Sequence, residues 1–140
     1  MVVATVKYMR TAAVVLAALA VAGWIAPAAS AAPTAPPEAQ DVDGVAFTDN
    51  PSIVDPQPMP IQSWSRAGDR AVAVHFTTGT PACNGVHARV HETADAVTID
   101  LKGGALPPVA GRMCIMLAVT GTLVVPLQSP LGDRQVLSAA

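Results

Sequence analysis

Two cysteines, three histidines and one Asp-Arg pair near the carboxyl terminus are the residues of this chain best suited to chemistry. Cys83 and Cys114 are its only cysteines. In an oxidising compartment two cysteines pair by default, and only one intramolecular connectivity exists. Closing a loop of about 32 residues restrains the unfolded chain by roughly 3.5 kcal/mol on chain entropy. The competing chemistry is a reactive thiol at Cys83 with His87 as its base. Two cysteines in an exported chain favour the staple.

His87 and His91 lie roughly 13 Å apart on one face of an alternating strand, too far to share a metal ion. His75 would stand opposite His87 if their strands formed a hairpin, and two imidazoles could then hold one ion. No third ligand is fixed, so neither a metal nor another cofactor is expected. His75 and His87 stay as candidate ligand-binding residues, together with Asp133 and Arg134. The last two also read as residues that pin their own turn. There is no Gly-x-Ser-x-Gly elbow, no His-Glu-x-x-His, no phosphate-binding glycine loop and no dinucleotide fingerprint. Asp41, Asp43, Asp49 and Asp55 fall in a proline-rich stretch, where nothing excludes water or tunes a pKa. No catalytic residues are assigned, and the chain is not expected to be an enzyme. Met113 and Met116 read as packing residues rather than copper ligands, and Trp64 and Phe76 as core.

The composition narrows the class. The chain has 140 residues, 51% hydrophobic and 13% charged, with a formal net charge of -2. That excludes a disordered polyelectrolyte and a nucleic-acid binder, which needs clustered Lys and Arg. Lys7 and Arg10 precede an uncharged run over 11–31 with an apolar heart at 12–25. The heart is shorter than the roughly 20 residues of a membrane span. Small residues follow at 26–32, the grammar of a secretory signal cut after Ala31. An uncleaved anchor is the competing reading. Residues 32–140 keep all ten acidic residues but six of the eight basic ones, a net charge of -4. That balance disfavours polybasic attachment to anionic lipid. Membrane contact is therefore expected only through the transient leader.

The elements that must position these residues are strands. Residues 32–60 hold seven prolines, which rules out helix and central strand. They read as a flexible arm, a spacer over 32–44 and an extended segment over 45–60 lying on the domain. The domain occupies 61–140. Strands are predicted at 61–66, 71–77, 86–93, 97–102, 122–127 and 135–138 from period-two alternation and turn residues. If 93–96 is a four-residue hairpin loop, Val90 faces Ile99, Ala88 faces Leu101 and Arg89 faces Asp100. Residues 112–119, almost continuously apolar, read as a strand covered on both sides. The fold class expected is all-β: a small antiparallel sandwich or open barrel with one disulfide.

The order Cys83-Asn84-Gly85-Val86, Val90-His91-Glu92-Thr93, Cys114-Ile115, Val125-Pro126-Leu127 and Pro130-Leu131-Gly132-Asp133-Arg134 resembles a group of small exported actinobacterial proteins and lipoproteins of unassigned function. The likeness spans roughly 61–138. It implies an envelope or extracellular location and carries over no catalytic residue. The lipobox cysteine of many such proteins is missing here, which implies secretion rather than lipid anchoring. The expected role is non-enzymatic binding or structure, with an envelope or extracellular protein as partner. The alternatives are an extracytoplasmic hydrolase assembled from scattered loops, and a weak metal binder through His75 and His87.

Overall fold

The computed structural model describes Pro27, residues 31–109 and residues 112–140. The expected leader, apart from Pro27 and Ala31, lies outside the described residues. The described chain is an all-β sandwich whose sheets do not close into a barrel. Its strands are β1 (Val45–Phe47), β2 (Val54–Pro58), β3 (Ser63–Arg66), β4 (Ala71–Thr78), β5 (Asn84–Glu92), β6 (Ala96–Ala105), β7 (Val119–Pro126) and β8 (Gln135–Ser138). One sheet has the order β1-β7-β4-β3. In the other, β6 pairs with β5 on one edge, and with β8 and β2 in succession on the opposite edge.

Alternation decides which residues meet between the sheets. Val72, Val74 and Phe76 of β4 face Val97, Ile99 and Leu101 of β6 across a common core, and all six are fully buried. Leu123 and Val125 of β7, Trp64 of β3 and Val136 of β8 complete it. Such β-branched and aromatic residues suit pleated, covered surfaces. Full burial of each is worth about 1.5–3 kcal/mol in transfer terms. Gly121 is a packing device on β7: a Cβ there would run into the rings of Phe76 and Phe47. Its bare backbone lets those rings meet edge to face, with centroids 5.6 Å apart. Trp64 and Phe76 are core residues, at 7% and 0% exposure.

The β5–β6 hairpin has the register that alternation and charge predict: Val90 opposite Ile99, Ala88 opposite Leu101, Arg89 opposite Asp100. The ion pair of Asp100 runs instead to Lys102 on its own strand, at 3.7 Å. Residues of one face two apart on a strand are close enough for long side chains to choose either neighbour.

Three expectations are corrected. First, residues 32–44 do not stand off as a spacer, and the extended segment over 45–60 lies on the domain as strands of its sheets. Thr34 bridges Ser138, residues 37–39 hydrogen-bond along the free edge of β3, and β1 and β2 belong to the two sheets. The prolines fit because these are edge segments, where a missing donor costs no ladder bond. Between the bridge at Glu38 and β1, residues 40–44 carry the chain over the outer face of the β1-β7-β4-β3 sheet. Gly44 lies against the Thr122 side chain. This crossing explains why Ala73 and His75, which point away from the core, are buried.

Second, residues 112–118 are no strand. The apolar run is a loop outside both sheets, and β7 starts only at Val119. Met113 and Met116 are fully exposed, and Ile115 and Leu117 are 70% and 54% exposed. Expected as packing residues, the two methionines pack on none of the described residues. The core between the sheets is already filled by the alternating positions of β4, β6 and β7, which leaves no covered slot for another strand.

Third, β4 and β5 do not form a hairpin. β4 pairs with β3 and β7, so His75 stands opposite Ser63 and Thr122. His87 lies on the other sheet, facing outward. The sheets are about 10 Å apart, and the two imidazoles point away from each other. They cannot share a metal ion.

Candidate functional site

Four polar or reactive groupings stand out, and three of them hold the fold together. At one end of the sandwich Glu92, at the end of β5, meets the turn over 128–134. Its carboxylate accepts from the Gln128 N–H at 2.7 Å and the Ser129 N–H at 3.3 Å. Arg134 donates to it at 3.0 Å, and also to the carbonyls of Ser129 and Pro130 at 2.9 and 2.8 Å. Both side chains are largely buried, 10% and 16% exposed. The Gln128 N–H, then Arg134 and the Ser129 N–H, hold the Glu92 carboxyl below its ordinary range against the opposing effect of burial. Gly132 turns the chain with φ of 55°, and fully buried Leu131 plugs the core from this end. Arg134 thus pins its own turn. Asp133 beside it is exposed to solvent.

On the outer face of β4, beneath residues 40–44, His75 lies between two hydroxyls. Ser65 Oγ is 3.1 Å from Nε2, and Thr122 Oγ1 is 3.0 Å from Nδ1. A hydroxyl that both donates and accepts suits either tautomer of a neutral ring. Burial lowers the His75 pKa. A serine–histidine contact of this length matches nucleophile and base. Here, however, the ring is only 3% exposed, and its third neighbour is a threonine, which cannot stabilise an imidazolium as a carboxylate does.

His87 belongs to a third grouping. Its Nδ1 is 3.0 Å from Asp49 Oδ1, and the same oxygen accepts from the Ala88 N–H at 2.8 Å. Asp49 thereby covers part of the otherwise open edge of β5, a common way to blunt an edge strand. The four candidate ligand residues accordingly occupy three separate places: His75 on one outer face, His87 on the other, and Asp133 with Arg134 at one end. Among the described residues, no group of three or more His, Cys, Asp or Glu is placed to hold a metal ion.

The fourth grouping lies at the opposite end and leaves apolar surface uncovered. Cys83 and Cys114 form the disulfide, with Cα atoms 6.3 Å apart. Cys83 is fixed just before β5: its N–H donates to the Thr80 carbonyl, and its own carbonyl accepts from Leu106. Cys114 sits in the exposed loop. Among the described residues, none of 112–118 makes a backbone hydrogen bond to the rest of the chain. The disulfide therefore tethers a loop rather than bracing the core. Between loop and sandwich opens a cleft of about 590 Å³, with Thr77, Thr78, Asn84 and Ala105 on one side and Ile115 and Leu117 on the other. Its size falls within the range of small-molecule sites. Among the described residues, Arg112 is the one charged residue on its wall.

The sequence pointed to the disulfide and to residues 130–134, but not to this loop, because a continuous apolar run carries the same signal buried or exposed. A clue was present in residues 106–118, which contain no Ser, Thr, Asn, Gln, Asp or Glu, an unusual composition for a connection that begins with Pro-Pro. Compared with protein-family models, curated proteins and solved structures, the chain gives no match.

Proposed function

We propose that this chain is an exported, non-enzymatic binding protein of the cell envelope or extracellular space, and that the loop over 112–118 is its contact element. One observation carries the reading: Met113, Ile115, Met116 and Leu117 are exposed together in a loop whose position is held by a disulfide. Scattered apolar residues on a surface need no explanation, but a contiguous run does. Methionine is the adaptable side chain of binding surfaces. The tether keeps such a loop from collapsing freely and lowers the ordering cost of contact. Export is supported by the leader grammar of residues 1–31, and the disulfide is consistent with an extracytoplasmic location.

Fractionation of producing cells tests the reading. Wild-type protein, with no free thiol, is expected in the envelope fraction. A Met113→Ser/Met116→Ser variant is expected to shift to the soluble exported fraction with an unchanged melting temperature. Identical distribution of the two proteins would overturn the proposal.

A further inference from the structure

We infer that the loop over 112–118 docks on a lipid surface, an anionic bilayer, with its apolar side chains in the acyl boundary and Arg112 at the headgroups. The inference rests on the loop being a contact element and names what it contacts. Two observations choose lipid over protein. Between residues 106 and 118 Arg112 is the only charged residue and no uncharged polar side chain occurs other than Cys114. A protein interface carries about one hydrogen bond per 100–200 Å² and a polar rim, which this segment has few side chains to supply. A bilayer interface asks only for apolar side chains and a cation.

Charge complementarity is the second observation. No Asp or Glu occurs from residue 101 to residue 132, although the chain as a whole is acidic. Three Asp side chains lie toward the same end of the sandwich: Asp49, engaged by His87 and the Ala88 N–H, Asp43 beside Thr120, and Asp55 next to the Val54 that pairs with Ala105. The positive charge is therefore local to the loop and not a property of that end as a whole. The overall negative charge disfavours a polybasic mode, but a local cation in an acid-free segment is a different case. It attracts anionic headgroups within a Debye length, about 8 Å at physiological salt.

The backbone sets the depth. Among the described residues, none of 112–118 makes a backbone hydrogen bond to the sandwich, and unpaired N–H and C=O groups do not enter hydrocarbon. Docking is therefore shallow: the Met113, Ile115, Met116 and Leu117 side chains reach the upper acyl region while the backbone stays at the hydrated headgroups. The affinity expected is that of a single acyl chain, about 10⁴ M⁻¹, and reversible.

The test uses the protein as exported, residues 32–140 with the disulfide formed, labelled at its methionine methyl groups. It is mixed with bicelles of phosphatidylcholine and phosphatidylglycerol doped with a lipid carrying a nitroxide near its carbonyl. The Met113 and Met116 signals should broaden, while Met59, which packs against the core, stays sharp. Moving the nitroxide to the acyl terminus should weaken the broadening. Arg112→Gln should weaken binding about fivefold. Met113 and Met116 signals as sharp as that of Met59 would overturn the lipid assignment. If the Met113→Ser/Met116→Ser variant still left the envelope in that event, the loop would remain a contact element for a protein. Failure of both experiments would remove both readings.

Discussion

Replacing Arg134 with Met should cost this domain a large part of its stability, and the structure says how much. Five hydrogen-bond contacts end on the guanidinium, but they are not equal. The carbonyls of Ser129 and Pro130 lie in exposed residues, so water replaces the lost donor there at little cost. The Glu92 carboxylate, 16% exposed, would keep its charge and its two N–H donors but lose its counter-ion. Breaking a buried pair from one side costs about 3–5 kcal/mol, and residual solvent access lowers that here to about 2–4 kcal/mol. For a domain of this size the loss corresponds to a fall of roughly 10–20 °C in melting temperature. Thermal unfolding by circular dichroism at neutral pH measures it. Lys102→Met is the control, because the Lys102–Asp100 pair is about a third exposed on both sides and should contribute under about 1 kcal/mol. Acidity adds a second reading of the same experiment. The folded-state pKa of Glu92 lies below its ordinary value of 4.5. The stabilisation is thus complete above about that pH and is lost as pH falls through the lower, folded value. The gap between wild type and Arg134→Met should narrow in that acid window. A variant melting within 2 °C (about 0.5 kcal/mol) of wild type at neutral pH would show that the Glu92–Arg134 pair does not hold this end of the sandwich.

Three further outcomes follow from the same structure. Cys83→Ser/Cys114→Ser should leave the sandwich folded and lose at most about 3.5 kcal/mol. Trypsin should then cut at Arg112 before it degrades the domain, and loss of the β-sheet spectrum would contradict the tether. Gly121→Ala should destabilise by about 1–3 kcal/mol through the Phe76 and Phe47 rings, measured by urea titration; an unchanged midpoint would contradict the packing. Because burial depresses the His75 pKa, stability should decline as pH falls below about its ordinary value of 6.5. His75→Gln should remove that decline, as read by melting temperature across pH 5–8.

The parts of this fold legible in the sequence are those with a face to alternate. Val86 to Leu101 could be placed residue by residue, because a one-residue slip would turn Val90 and Ile99 outward and separate Arg89 from Asp100. The short strand at 135–138 was bounded by the Gly132-Asp133 turn, and the pairing of two lone cysteines followed from their number. What failed lacked such a face. Residues 112–118 are apolar at nearly every position, so periodicity could not tell a covered strand from an exposed loop. The prolines of 32–60 correctly excluded a central strand, yet Thr34, Ala39 and Asn50 still offered the N–H groups that tie this stretch to Ser138, Trp64 and Val86. His75 and His87 were set side by side by assuming that consecutive strands pair, whereas the chain changes sheets between β4 and β5. The turn over 130–134 was recognised as a unit, but its purpose depended on Glu92, which sits 36 residues before Gln128 and shows no local signal.

On the function proposed for this chain, the exposed, disulfide-held apolar loop is covered at the cell envelope. Peroxide footprinting of methionine measures it directly, by comparing oxidation of Met113 and Met116 in the isolated protein and in intact envelopes, with Met59 as the internal reference. Rapid oxidation of both in isolation and strong protection in the envelope are predicted. Equal rates in the two settings, or rates as slow as that of Met59 in the isolated protein, would contradict it.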